Sequence, residues 1–109
     1  HNKSLIKAGV NFLEFAEQSW KLPDNCYDNH YPCIIHGVGL CDEWPFVAYP
    51  NKDFSNSDYS ACFEENMTIC VESYIGEVGG KEGIKLEDQF LVTKDGLKQL
   101  SSFPYEYSN

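Results

Sequence analysis

Met67-Thr-Ile-Cys-Val-Glu-Ser-Tyr-Ile75 and Ile84-Lys-Leu-Glu-Asp-Gln-Phe-Leu-Val-Thr93 are the two runs whose reading decides the fold. Each follows the two-residue period of a strand, because successive side chains on extended backbone point to opposite faces. In the first, Met67, Ile69, Val71 and Ile75 share one face, and Thr68, Cys70, Glu72 and Tyr74 share the other. In the second, Ile84, Leu86, Phe90 and Val92 fall together and Glu87 lies opposite them. The connection Glu77-Val-Gly-Gly-Lys-Glu-Gly83 is built of turn-forming residues. A hairpin centred on Gly79-Gly80 sets Glu72 directly opposite Glu87. Facing carboxylates on neighbouring strands repel each other, and a cation between them removes that cost. The plain alternative is a pair of solvent-facing glutamates in an acidic protein.

A histidine further towards the N-terminus favours the cation. His36-Gly-Val-Gly-Leu-Cys-Asp-Glu-Trp-Pro45 brings an imidazole, two glycines, two adjacent carboxylates and an indole into one short stretch. Imidazole is a good ligand for zinc, iron, manganese or cobalt. Gly37 and Gly39 let the backbone pass close to a ligand or take a strained turn. By itself a histidine beside glycines is more often structural. With Glu72 and Glu87 added, the three form a candidate metal-ligand set.

Length and charge narrow the function classes. The chain has 109 residues, enough for one small domain with a modest core. Seventeen acidic residues stand against eight lysines and no arginine, a formal charge of -9. This argues against nucleic-acid binding, which needs a basic face, and mildly favours a cationic substrate. Five cysteines show neither a CxxC pair nor zinc-finger spacing. An odd count without a signal peptide predicts reduced thiols in a cytoplasmic protein. No apolar run approaches the ~18 residues of a membrane helix, so no membrane partner is expected.

Taken in order, residues 1–7 read as the tail of something already under way, with no initiating Met. Lys7-Ala-Gly-Val10 reads as a turn. Asn11-Phe-Leu-Glu14 has the pattern of a capping box. It opens a helix to about Trp20 whose buried stripe is Phe12, Phe15, Ala16 and Trp20. Leu22 to His30 reads as a loop, and Tyr31-Pro-Cys-Ile-Ile35 as a short strand leading into His36. From Pro45 through Ser60 a wet, irregular segment is expected, in the manner of a lid or insertion. After the hairpin come a turn at Lys94-Asp-Gly96, a helical turn over Leu97–Leu100 and a polar tail. Asn66-Met-Thr68 matches a glycosylation sequon, read as chance in the absence of a secretion signal.

His36-Gly-Val-Gly39, Glu72 within a strand, and Glu87-Asp88 followed by Leu91-Val-Thr-Lys-Asp-Gly96 together resemble the C-terminal half of the pita-bread metallohydrolases. That family includes methionine aminopeptidase, prolidase, aminopeptidase P and creatinase. The resemblance implies an α+β fold, an antiparallel curved sheet with flanking helices, with residues 1–109 forming the C-terminal part of the catalytic domain. It also implies that His36, Glu72 and Glu87 are ligands of a dinuclear divalent centre, with Glu87 bridging the two ions. The family draws its remaining ligands, aspartates, from the preceding half of the domain. No segment here matches them, so this other half is an expected partner, as is a second copy in a homodimer. Oxygen-rich shells with one imidazole suit iron or manganese better than a structural zinc, and iron is expected before manganese or zinc.

One departure bears on the reaction. Where the peptidases carry a second histidine, this chain has Asp42, in Asp42-Glu-Trp-Pro45. That histidine donates to the substrate or the oxyanion, whereas an ionised aspartate cannot donate and would repel the oxyanion. Gly37-Val-Gly-Leu-Cys-Asp-Glu-Trp-Pro45 instead resembles the dimethylsulfoniopropionate lyase branch of the fold. In that branch the aspartate is the base that removes the proton alpha to the substrate carboxylate. Tyr31, five residues before His36, matches an active-site tyrosine of the branch. Tyr31 and Trp44 could then meet the sulfonium of the substrate through cation–π contact, with ordinary packing as the alternative. The implied activity is β-elimination to dimethyl sulfide and acrylate. The rivals are a prolidase-like peptidase acting on Xaa-Pro substrates and an inactive module kept for binding or dimerisation.

Overall fold

The computed structural model describes residues 1–40, 42–50 and 59–105, with backbone alone for Asp42 and Glu43. Among the described residues five strands form one antiparallel sheet: β1 (Ile35–Val38), β2 (Asp42–Val47), β3 (Thr68–Ile75), β4 (Ile84–Val92) and β5 (Leu97–Gln99), in the spatial order β2-β1-β3-β4-β5. The helical elements are a 3₁₀ turn over Asn2–Leu5, α1 (Phe12–Gln18) and the single turn α2 (Asp24–Tyr27). The α+β class implied by the family resemblance is what the chain adopts.

The predicted hairpin is the spine of the sheet. β3 and β4 pair from Thr68↔Leu91 to Ile75↔Ile84, and Glu72 stands opposite Glu87. Since cross-strand partners share a face, the register separates the sheet into two chemically different sides. One side carries Ile35, Val47, Ile69, Phe90 and Val92, all at most 3% exposed. The other carries His36, Phe46, Cys70, Glu72, Lys85 and Glu87.

The apolar side is covered by α1 and the segments around it. Asn11 caps α1 through its Oδ1, which accepts from the backbone N–H of Leu13 at 2.9 Å and of Glu14 at 3.3 Å. Phe12, Phe15 and Ala16 are buried as their helical spacing requires. Phe12 and Phe15 meet Phe63 edge-on, with centroids 4.7 and 5.6 Å apart, the geometry favoured by ring quadrupoles. Gly9, at φ +89°, makes the turn that delivers the chain to this cap.

Several expectations are corrected. Trp20 lies beyond the helix and is 42% exposed, because α1 ends at Gln18 and the next residues are extended. Tyr31 to Ile34 precede β1 rather than forming a strand, although Ile34 is fully buried. Residues 45–50, read as a wet loop, contain the end of β2 and the buried Val47, Ala48 and Tyr49. The proline concealed this strand. β2 is an edge strand, and its register against β1 shifts from Gly37↔Glu43 to His36↔Phe46. Trp44 and Pro45 occupy that bulge, where a residue without an N–H is tolerated. The Trp44–Pro45 peptide bond is cis. The rest of the expected insertion, 51–58, lies outside the described residues. Leu97–Gln99, read as a helical turn, is β5, because the open edge of β4 offers backbone partners to a chain reversed at Gly96. Finally, Ile84 and Leu86 are 46% and 39% exposed, so the apolar face of β4 is covered only in its second half.

Candidate metal centre

On the polar side, three adjacent strands each bring donor groups to one point. His36 comes from β1, Glu72 from β3 and Glu87 from β4. The His36 Nε2 lies 3.1 Å from Glu87 Oε1 and 3.8 Å from Glu72 Oε1. His36 is 7% and Glu72 2% exposed, so both are held away from bulk water.

The orientation of the His36 ring is set by its other nitrogen. Nδ1 lies 3.0 Å from the Gly37 carbonyl, which can only accept, so Nδ1 carries a proton. Nε2 is then the ring atom turned towards the two carboxylate oxygens, and in its 3.1 Å contact with Glu87 Oε1 it can only donate; a metal ion at that point would take the Nε2 lone pair in place of that proton. Three lone-pair donors converging on one point fit a divalent cation, and imidazole with carboxylates is a common ligand set for first-row metals.

The cation expected between the two glutamates has a counterpart within the chain. Lys85 Nζ lies 2.6 Å from Glu72 Oε2 and 3.1 Å from Glu87 Oε2. The two carboxylates are thus fixed edge by edge, with both Oε2 atoms on the ammonium and both Oε1 atoms towards His36. Burial works against the Lys85 charge, but the two carboxylates outweigh it and raise its pKa. For Glu87, burial alone would raise the pKa. Hydrogen bonds from Cys70 and Lys85, the Lys85 charge and the His36 bond together pull it below the usual carboxylate value. Lys85 also sits 4.1 Å from the centroid of the Tyr31 ring, so one face of that ring already carries a cation.

Two thiols complete the cluster. Cys33 Sγ donates to Glu72 Oε1 at 2.9 Å. Cys70, in register with His36, groups with His36 and Glu87 so that their ligand atoms lie within 4.8 Å of one another. No disulfide joins Cys26, Cys33, Cys62 or Cys70. Tyr49 lies behind this site, its pKa pushed up to about 12 by burial first and then by the charge of Glu72.

Beside the cluster opens a cavity of about 300 Å³ lined by Tyr31, Pro32, Cys33, His36, Trp44, Phe46 and Glu72. Tyr31 and Trp44, 36% and 52% exposed, form its open side. Five of the six candidate site residues therefore meet at one place. Asp42 is placed by its backbone, opposite Val38, which lies two positions along β1 from His36. Its side chain lies outside the description. Lys85, Cys70, Cys33 and Phe46 are missing from the sequence reading. Lys85 and Cys70 each sit two residues from a glutamate in the same strand and so share its face, a signal open to inspection. Cys33 lies outside any regular period, and Phe46 was hidden with β2.

Residues 2–94 match metallopeptidase family M24. The chain belongs to that family. Among M24-related curated proteins, it is 45% identical over 105 residues to dimethylsulfoniopropionate lyase DddP of Roseovarius nubinhibens, covering 96% of this chain and 23% of that protein. It is 36% identical over 78 residues to an Xaa-Pro dipeptidase of Pyrococcus horikoshii, covering 69% of this chain and 18% of that protein. The chain thus spans about a quarter or less of these relatives' length. Among solved structures, the X-Pro aminopeptidase of Thermotoga maritima superposes with a TM-score of 0.67 at 23% identity, over 96% of this chain and 28% of that one. The prolidase of Pyrococcus furiosus gives 0.67 at 24%, over 94% and 29%. These two show the shared pita-bread fold. The M24 family is metal dependent, and the described residues include a possible metal-binding group in His36, Cys70 and Glu87.

The Lys85 bridge gives a first expected result. Lys85→Met leaves Glu72 buried against Glu87 without its counter-charge. In the full polypeptide, with metal removed by chelator, unfolding free energy should fall by roughly 2–3 kcal/mol. That is below the ~3–5 kcal/mol for breaking a buried pair, because a third of the Lys85 side chain meets solvent. Urea denaturation measures this. Saturating Mn²⁺ should narrow the gap between variant and wild type, because a bound cation replaces the lost charge.

Proposed function

We propose that this chain provides three metal ligands and the aromatic wall of a lyase site that cleaves dimethylsulfoniopropionate to dimethyl sulfide and acrylate. The observation that carries the proposal is the cavity itself, with Tyr31, Trp44 and Phe46 around a floor that includes His36 and Glu72. Electron-rich rings above carboxylates suit a small cation, and a sulfonium is one. The 45% identity to a dimethylsulfoniopropionate lyase supports the same substrate. The rest of the catalytic domain supplies the remaining ligands, and a second copy completes a homodimer. Thiols without disulfides among the described cysteines support a reducing, cytoplasmic location.

His36, Glu72 and Glu87 would hold a dinuclear divalent centre, iron before manganese or zinc, with Glu87 shared between the ions. Such a centre supplies Lewis acidity that stabilises negative charge beside the substrate carboxylate. Asp42 takes the proton from the carbon alpha to that carboxylate. The released electron pair forms the carbon–carbon double bond as the carbon–sulfur bond breaks. Dimethyl sulfide leaves with the sulfur pair, acrylate remains, and Asp42 holds the proton until it passes to solvent. Tyr31 and Trp44 hold the sulfonium and keep water from the leaving group. Lys85 holds the outer oxygens of both glutamates, so that their inner oxygens face His36.

A second reading draws on the peptidase neighbours in fold and on the Xaa-Pro dipeptidase relative. Asp42 speaks against it, since a carboxylate at that position cannot donate to an oxyanion. The deciding assay offers the full polypeptide dimethylsulfoniopropionate and Xaa-Pro dipeptides in parallel. Dimethyl sulfide in the headspace with intact dipeptide is the expected result. Dipeptide hydrolysis without dimethyl sulfide would overturn the lyase proposal in favour of the peptidase.

A further inference from the structure

Cys70 has no part in the proposed elimination, yet it stands in the middle of the ligand cluster. It is 3% exposed, faces His36 across the β1–β3 register, and shares Glu87 with it. We infer that His36 Nε2, Cys70 Sγ and a Glu87 carboxylate oxygen form a mixed nitrogen–sulfur–oxygen site that takes a thiophilic divalent cation, Zn²⁺ or Cd²⁺, with sulfur bound directly to the metal. This deepens the metal-centre reading and rests on it. It adds a ligand and a metal preference that an imidazole–carboxylate set alone does not give.

The geometry is close to what such an ion requires. Tetrahedral zinc with bonds of about 2.0–2.3 Å sets its ligand atoms roughly 3.3–3.8 Å apart. His36 Nε2 and Glu87 Oε1 are already 3.1 Å apart, and all three ligand atoms lie within 4.8 Å of one another. Closing the remaining gap takes side-chain rotation on the order of 1 Å, with the three strands left in place. Nδ1 already donates to the Gly37 carbonyl, so the ring keeps its orientation, and Nε2 exchanges its contact with Glu87 for the metal, the proton of that contact leaving to solvent. Cys70 loses its thiol proton to solvent on binding, and the thiolate forms the sulfur–metal bond. Soft sulfur raises affinity for zinc and cadmium over manganese, which prefers oxygen. Capture of a soft ion therefore draws His36 and Glu87 away from the harder ions that the proposed reaction uses. Cys33, on Glu72 Oε1, is the second thiol at the cluster and the natural control.

The experiment uses the full polypeptide stripped of metal and titrated with Cd²⁺ or Mn²⁺. With wild type and Cys33→Ser, Cd²⁺ should produce the ultraviolet sulfur-to-cadmium charge-transfer band. With Cys70→Ser the band should vanish and Cd²⁺ affinity fall about 10–100-fold, while Mn²⁺ affinity changes less than about threefold. In case the serine variant misfolds, ¹¹³Cd NMR of the wild type gives an independent reading, and a shift in the range of one sulfur ligand is expected. A band that survives Cys70→Ser, or disappears in Cys33→Ser, would overturn the inference, as would a cadmium shift without sulfur. Mn²⁺ binding with no cadmium–sulfur band defeats this inference alone. Failure of both metals to bind defeats the metal-centre reading beneath it.

Discussion

Asp42→Asn in the full polypeptide is expected to lower dimethyl sulfide release by ~10³–10⁴-fold, the upper part of the range for removing a general base. Asparagine keeps the shape and part of the hydrogen bonding of aspartate but has no basic lone pair. Metal content and substrate binding should stay near wild type, because Asp42 is assigned to the proton and not to the metal. A peptidase would respond the other way, since an amide at residue 42 could donate to its oxyanion. Turnover within tenfold of wild type would remove Asp42 from the role of base.

The second large effect concerns Glu87. Glu87→Ala should strip metal from the full polypeptide far more severely than Asp42→Asn, by at least the ~10–100-fold loss of affinity seen for outer-shell changes. Glu87 is proposed as a ligand shared by both ions, so one substitution weakens two sites. It also removes the 3.1 Å partner of His36 and one of the two carboxylates on Lys85. Elemental analysis after dialysis reads the outcome directly. Equal metal loss in both variants would place Asp42 among the ligands and undo its assignment as a base.

The hairpin shows how far the amino-acid sequence could be read. The alternation in 67–75 and 84–93, with Gly79-Gly80 between them, was enough to set Glu72 opposite Glu87, and the structure has that pairing. The cap at Asn11 and the buried face of α1 were equally accessible, because both depend on residues within one turn of each other. β2 and β5 were missed for a shared reason. Each is short and lies at an edge of the sheet, and its strand character comes from a neighbouring backbone more than from its own pattern. Trp20 was assigned to a stripe that the helix is too short to reach.

For the candidate site the division is similar. The parity of each strand and the glycine turn by themselves determined that Glu72 and Glu87 face each other, away from the apolar core. That holds because a two-residue period and a hairpin register are local properties. Only the tertiary structure decided what meets those carboxylates. It brought His36 in from β1, placed Lys85 on both outer oxygens, and set Cys33 on a glutamate 39 residues away. It also turned Trp44 and Phe46 into a cavity wall through a bulge whose register depends on β1. Apart from that of Lys85 with Glu87, these contacts join residues with no shared local period. They form because burying Glu72 on the sheet requires partners, and the fold determines which side chains are close enough to serve.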